Sequence, residues 1–299
     1  MKKIAIITLI LALILLTGCL GSNTTETDAP HKSFLWGIAS DSGAVYILGS
    51  IHVASPEMYP LDSTIENAFD QSQNLVVEFD IVGADKSHLT SLLMQKGTYS
   101  GGDTLHDNIP ADLYKQADEV LEYLGGDISL FNSFEPWVVA MTIEELFMSK
   151  YGYTGEYGID MHFLNMAHEE GKDIFELESA EFQIELFDEF PDEWQVLLLE
   201  DIVDNPPKKK ELEQMFKAWK NGDTLKIESL TLEEIEENPE LEPVIEKLLD
   251  ERNFSMVEKI EEFLQDDETY FVIVGAGHLV GDNGIINLLK EKGYEPVQL

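Results

Sequence analysis

Two stretches far apart in this 299-residue chain share one pattern: a run of β-favouring apolar residues, a glycine, and a histidine three positions later. The first is Ala44-Val45-Tyr46-Ile47-Leu48, then Gly49-Ser50-Ile51-His52. The second is Tyr270-Phe271-Val272-Ile273-Val274, then Gly275-Ala276-Gly277-His278. Each run predicts a strand. A glycine ends a strand where the backbone must bend sharply, so each histidine lands just beyond a C-terminal strand edge. Ligands of open α/β sheets bind at that edge, and the pattern allows His52 and His278 to face each other in one pocket.

The N-terminus reads as a targeting segment. Lys2-Lys3 precede an apolar run from Ile4 to Leu16, followed by Thr17-Gly18-Cys19. A short basic start, an apolar core too short to span a bilayer comfortably, and small residues before the cut predict a signal peptide over 1–18. Cys19 is the only cysteine and stands where a prokaryotic lipobox puts its lipidated residue. The expectation is a lipoprotein held to the membrane through Cys19 on the extracytoplasmic face, with 19–32 as a flexible tether. Beyond Cys19 there are no thiols, so disulfides and thiolate metal sites are excluded from the domain. Residues 33–299 suffice for one large α/β domain with a full core. The net charge of −39, from 58 acidic and 19 basic residues, repels nucleic acid and excludes it as a partner. A single arginine, Arg252, stands among those basic residues.

Ser33 to Ala39 and Ala44 to Gly49, about Asp41-Ser42-Gly43, predict a hairpin. Leu61 to Ser72 has helical spacing with Asp62 or Ser63 as N-cap. Asn74 to Phe79 reads as a strand ending in Glu78, and Asp173 to Leu177 as another leading into Glu178. Helical periods cover Asp85 to Gly97, Ala111 to Leu124, Phe134 to Tyr151 and Ile159 to Glu170. Two or three helices follow through Trp194, Leu197 and Phe216 to Trp219. Residues 223–250 are dense in Glu and read as a solvated, acidic helical insertion. Arg252 to Leu264 is an amphipathic helix, Asn283 to Lys292 a helix, and Tyr294 to Gln298 a last strand. The fold class is therefore α/β: a central mixed β-sheet flanked by helices, with a helical middle block.

His52, Glu78, Glu178 and His278 each lie at the C-terminal end of a predicted strand. Two imidazoles with one or two carboxylates suit Zn, Mn, Fe or Co as divalent ions. One carboxylate would complete the ligand set and the other serve as general base. Singly, each residue also reads as an ordinary turn or edge group, and Glu178 as a helix-entry residue. His162 and His168 are six apart and so not on one helix face. Asp160 reads as a helix cap and Phe216 with Trp219 as core. The Gly275-x-Gly277 pair has the wrong spacing for a dinucleotide loop. No Gly-x-Ser-x-Gly or His-Glu-x-x-His motif occurs.

The chain resembles the TraB/PrgY/GumN family, which includes the TIKI proteins and is related to the erythromycin-esterase and ChaN folds. The resemblance rests on Leu35-Trp36-Gly37-Ile38, Gly49-Ser50-Ile51-His52-Val53, Tyr59-Pro60-Leu61, Leu75 to Asp80, Glu135-Pro136-Trp137, Gly158-Ile159-Asp160, Leu177-Glu178-Ser179, Arg252-Asn253 and Gly275 to Gly281. It implies an erythromycin-esterase/ChaN-like sheet with His52, Glu78, Glu178 and His278 at one site and Arg252 and Asn253 beside it. For TIKI-type members it implies a metal-dependent peptidase, and for TraB/PrgY members inhibition of a peptide pheromone. Two positions depart: Glu135 stands where the family often has Lys or Arg, and Ser179 where it often has Thr. Arg252 reads either as a surface ion pair or as a rigid fork orienting a carboxylate or developing negative charge.

The resemblance, with these residues, implies a metal-dependent hydrolase acting on peptides or protein termini outside the cytoplasm. His52, His278, Glu78 and Glu178 would be its metal and catalytic residues, with Arg252 and Asn253 in support. A lipoprotein that captures a peptide without cleaving it is the rival reading. Haem or iron binding through the paired histidines, by analogy with ChaN, is the third.

Overall fold

The computed structural model describes residues 32–40 and 43–299. The predicted signal peptide, Cys19, nearly all of the tether and two residues of the hairpin turn lie outside the described residues.

Among the described residues six strands form one mixed sheet: β1 (Leu35–Ala39), β2 (Ala44–Ser50), β3 (Asn74–Val77), β4 (Asp173–Glu176), β5 (Tyr270–Gly275) and β6 (Val297–Gln298), in the order β4-β3-β5-β2-β1-β6. The four strands β4, β3, β5 and β2 are parallel, while β1 runs antiparallel to both β2 and β6. Every residue of β3 and β5 is buried, as expected where helices cover both faces of a parallel sheet. The outer strand β4 is largely exposed.

Local chemistry sets the helix ends. The Asp62 carboxylate accepts from the Thr64 amide and starts helix Ser63–Gln71. Asp85 accepts from Ser87 and His88 ahead of Lys86–Lys96, and Ser179 from Phe182 ahead of Ala180–Asp188. Such caps satisfy first-turn amides that have no partner within the helix. Pro136–Tyr151 and Ile159–Glu170 stop at Gly152 and Gly171, both left-handed, a conformation that glycine adopts without a Cβ penalty.

Two sequence expectations need correction. The Glu-rich stretch 223–250 is not a solvated insertion. Ile227, Leu230, Leu241, Val244, Ile245, Leu248 and Leu249 are all buried in the core. Leu241, Val244, Ile245 and Leu248 recur at helical spacing, so an apolar stripe underlies the carboxylates. The last strand is also shorter than Tyr294 to Gln298: pairing with β1 begins only at Val297, after Pro296, which has no amide to donate.

The central pairing joins strands far apart in sequence. β5 lies between β2 and β3, in register Gly49↔Val274 and Ser50↔Gly275 on one side and Val76↔Val272 on the other. Both Gly-x-x-His tetrads thus leave adjacent parallel strands at the same edge, one residue out of step.

Candidate functional site

Close packing explains the glycine that opens the first tetrad. A Cβ on Gly49 would stand 2.5 Å from the Phe34 ring and 3.0 Å from Leu279. Behind it, Trp219 Nε1 donates to the Gly49 carbonyl at 2.5 Å. This residue, read from sequence as core alone, therefore also anchors the turn that carries His52. Gly158 plays the matching part opposite: a Cβ there would lie 2.3 Å from the His52 carbonyl oxygen. The start of helix Ile159–Glu170 can consequently dock on the tetrad, with the Ile159 amide donating to Ile51 O at 3.1 Å.

That docking delivers Asp160. One carboxylate oxygen lies 2.8 Å from His52 Nδ1 and the other accepts from Ser50 Oγ at 2.6 Å. Asp160 thus orients a ring instead of capping the helix, whose cap position is Gly158 with no side-chain bond; the sequence reading passed over that role. The second histidine has a neutral counterpart: His278 Nδ1 lies 2.7 Å from Asn253 Oδ1. Because Asn253 Nδ2 donates to the Asn283 carbonyl at 3.0 Å, the amide is turned so that its oxygen accepts from the ring. Both imidazoles are held through Nδ1, which leaves Nε2 of each for another partner.

Glu78 and Glu178 meet because β3 and β4 continue past their last regular pairs. The amides of Leu177 and Glu178 donate to the carbonyls of Val77 and Glu78, each at 2.8 Å. Arg252 closes over the two carboxylates. Its Nη2 donates to Glu78 Oε2 and Glu178 Oε2 at 2.7 Å each, its Nε to Glu178 Oε1 at 2.8 Å and its Nη1 to the Leu248 carbonyl at 2.9 Å. A π-helical turn, Glu246–Asp250, runs into the helix Glu251–Leu264 that bears Arg252 and Asn253; such turns are frequent at functional sites. Gln183 Nε2 donates to Glu78 Oε2 and Glu178 Oε2 at 2.9 Å each. Glu78 Oε1 accepts from the Gly275 amide at 2.8 Å and stands 3.9 Å from His278 Nε2.

The arrangement is buried and polarised. Arg252 is 4 % exposed and His278 2 %; the side chains of His52 and Asp160 are 17 % and 19 % exposed, so the site opens on their side. Burial pushes the His52 imidazole down, but the Asp160 carboxylate more than offsets it and holds the ring up at about 9. His278 is pushed down to about 3 by burial and by Arg252. Burial raises Glu78, yet Arg252 and the two imidazoles overcome it and hold the carboxyl at about 2.

Of the residues expected at the site, His52, Glu78, Glu178, Arg252, Asn253 and His278 are linked by these contacts and fields. The expected four-ligand cage is not formed as it stands: among the described residues, no three His, Cys, Asp or Glu side chains converge on one point suited to an ion. Glu178 is withheld from any such set, since its two oxygens both bind Arg252. Donor chemistry nonetheless suits a divalent ion at His52, His278 and Glu78. Ligand bonds of about 2.1 Å at a tetrahedral angle put two donors about 3.4 Å apart, and His278 Nε2 to Glu78 Oε1 is half an ångström or so wider.

Other candidates lie apart. His168 pairs with Asp80 at 2.8 Å, and His162 packs at 4.7 Å against Tyr59 with the rings tilted by 46°. Glu135 accepts from Gln195 at 3.3 Å. A cleft of about 440 Å³ between Trp36, Glu228, Leu279, Ile286 and Lys290 borders the loop after His278 but is lined by neither histidine.

The α/β sheet thus carries two imidazoles and a clamped pair of carboxylates at one strand edge. The chain belongs to the TraB/PrgY/gumN family, whose model matches residues 34–298. It is similar to the Escherichia coli protein YbaP, described as uncharacterized, at 26% identity over 82% of this chain and 87% of that one. It is 22% identical to a metalloprotease TIKI homolog of Amphimedon queenslandica over 97% of this chain, and 24% identical to metalloprotease TIKI1 of Danio rerio over 93%. In both cases the match spans about two thirds of the longer TIKI chain, 66% and 65%. No solved structure matches.

Proposed function

We propose that the protein is a metal-dependent peptidase, held by a lipid on Cys19 at the extracytoplasmic face and acting on peptides or protein termini. The observation that carries this reading is the pair of adjacent-strand imidazoles, each fixed through Nδ1, with Nε2 of His278 3.9 Å from Glu78 Oε1. Histidines that bind metals are oriented in this manner through their other ring nitrogen. The names of the two TIKI relatives support a metalloprotease.

His52, His278 and Glu78 would hold the ion, one of Mn, Zn, Co or Fe. Such an ion supplies a lowered pKa for water and a polarised carbonyl. Asp160 and Asn253 keep the two rings in register. Glu178 acts on Arg252, and through it on Glu78, in place of the base role expected from sequence. The wider exposure of His52 and Asp160 makes theirs the side from which a peptide enters. Among the described residues no helix is long and apolar enough to cross a membrane, and the anchor would be Cys19, outside them.

Elemental analysis of the purified protein beside His52→Ala and His278→Ala tests this, together with mass-spectrometric cleavage of a peptide library. Stoichiometric metal and cleavage in the parent, and neither in the variants, is the expected result. Metal-independent cleavage would overturn it. A peptide bound but recovered intact would favour capture without cleavage, which uses the same pocket. Haem ligation fares worse, since His278 at 2 % exposure offers no open face to a porphyrin.

A further inference from the structure

Gln183 came from no motif, yet it holds the same two oxygens as the arginine. Its Nε2 reaches Glu78 Oε2 and Glu178 Oε2 at 2.9 Å each, and Arg252 Nη2 reaches the same atoms at 2.7 Å each. Each nitrogen has two hydrogens, so each spends one on either glutamate. Both Oε2 atoms are thereby taken. Of the four carboxylate oxygens, Glu78 Oε1 is the one facing an imidazole, 3.9 Å from His278 Nε2.

The choice of an amide matters for charge. Two carboxylates and one guanidinium leave one net negative charge at the bottom of the site. A lysine at position 183 would cancel that charge, and a carboxylate would add to the repulsion. Glutamine supplies two donors and no charge, keeping the site attractive to a cation.

We propose that Gln183 is a positioning residue: a neutral clamp that fixes the Glu78 carboxylate so that Oε1 faces His278 and the site keeps one negative charge. The inference rests on the metal reading above, and adds to it the residue that prepares the carboxylate for an ion.

Gln183→Met and Gln183→Lys in the full chain test it, since both substitutes are good helix formers and should preserve helix Ala180–Asp188. The first readout needs no metal. The Gly275 amide donates to Glu78 Oε1, so its proton resonance in ¹⁵N-glycine-labelled protein reports where that oxygen sits. It should move upfield in Gln183→Met as the carboxylate, left with Arg252 alone at Oε2, turns away from the amide, with far-UV circular dichroism unchanged. The second readout is competition for Co²⁺ or Mn²⁺ against a chromogenic chelator. Both variants should lose about 10–100-fold in affinity, as is usual for residues that orient a ligand, and Gln183→Lys should lose it while staying as stable as the parent. A merely structural glutamine would leave the affinity of Gln183→Lys unaltered. An unmoved Gly275 resonance overturns the proposal, and so does parental metal affinity in both variants. A parent that binds no ion removes the metal reading instead, and the Gly275 resonance then decides the role of Gln183 alone.

Discussion

Replacing Arg252 by methionine should destabilise the protein far more than loss of a surface arginine. Arg252 is 4 % exposed and bonds three carboxylate oxygens and one carbonyl. Methionine fills much of the stem's volume and bonds none of them. The Glu78 and Glu178 side chains, 8 % and 3 % exposed, would then confront each other with Gln183 as their shared donor. Two unit charges about 4–5 Å apart repel by roughly 3–4 kcal/mol at an effective dielectric of about 20. The alternative is protonation of Glu78, whose carboxyl burial alone drives upward. Either route agrees with the ~3–5 kcal/mol typical of removing one partner from a buried ion pair. Urea unfolding at neutral pH with a chelator present, followed by tryptophan fluorescence, measures it. Arg252→Lys should fall between, about 1–3 kcal/mol, since an ammonium cannot reproduce the fork. The triple variant with Glu78→Gln and Glu178→Gln should recover most of the loss, because the repelling charges are gone. A loss below about 1 kcal/mol in Arg252→Met, the value of an exposed pair, would refute the buried-clamp argument.

Three more outcomes are expected. Asp160→Asn removes the charge that opposes burial at His52, so the ring's pKa, followed by NMR, should drop from about 9 to below its ordinary 6.5; a value still near 9 would leave Asp160 without a role. Metal-free stability should peak near pH 6.5. His52, raised to about 9, contributes fully below 6.5 and loses that contribution as pH rises through 9. His278, lowered to about 3, refuses a proton that the unfolded chain accepts below 6.5, and Glu78, lowered to about 2, loses its contribution as pH falls from 4.5. Urea midpoints that stay flat from pH 4.5 to 9 would contradict both histidine shifts, and midpoints flat from pH 4.5 down to 2 the Glu78 shift. Gly158→Ala puts a Cβ 2.3 Å from the His52 carbonyl and should cost about 1–3 kcal/mol, with the His52 pKa falling as Asp160 is pushed away; an unchanged melting temperature and titration would show that the helix has room to shift.

Much of the site was readable because its residues sit where strands end. His52, Glu78, Glu178 and His278 follow short apolar runs, and the existence of such a run is what local pattern marks best. Arg252 was visible as the lone arginine of a lysine-using chain. What the pattern could not carry was pairing across long separations. Nothing in Gly158-Ile159-Asp160 says that a helix start docks on a tetrad more than a hundred residues earlier, so Asp160 read as a cap. Gln183 sits five residues after Glu178, one helical turn beyond its cap, a spacing that would reach back to Glu178 once that residue was placed. The Glu-rich 223–250 stretch misled for a different reason: composition counts all faces of a helix together, while burial depends on one. Glu178 stands at the edge, but its oxygens go to Arg252, because a strand end fixes where a side chain starts and not which cation it meets.

The two histidines also show how one local pattern can yield two different groups. Both tetrads leave adjacent parallel strands, both rings are held at Nδ1, and both lie near the same guanidinium. The difference is one atom of the partner: an anionic oxygen from Asp160 on one side, an amide oxygen from Asn253 on the other. A carboxylate stabilises imidazolium, and an amide oxygen adds no charge to oppose burial. At neutral pH His52 therefore carries a proton on each nitrogen, whereas His278 keeps Nε2 bare. A cation entering the site would find one lone pair ready and would have to displace a proton for the other. The less buried ring, His52, is the one that holds the proton; the sealed ring, beside Glu78, is the one that needs none. That ordering follows from burial as much as from charge, since a second imidazolium sealed beside Arg252 would be opposed by both.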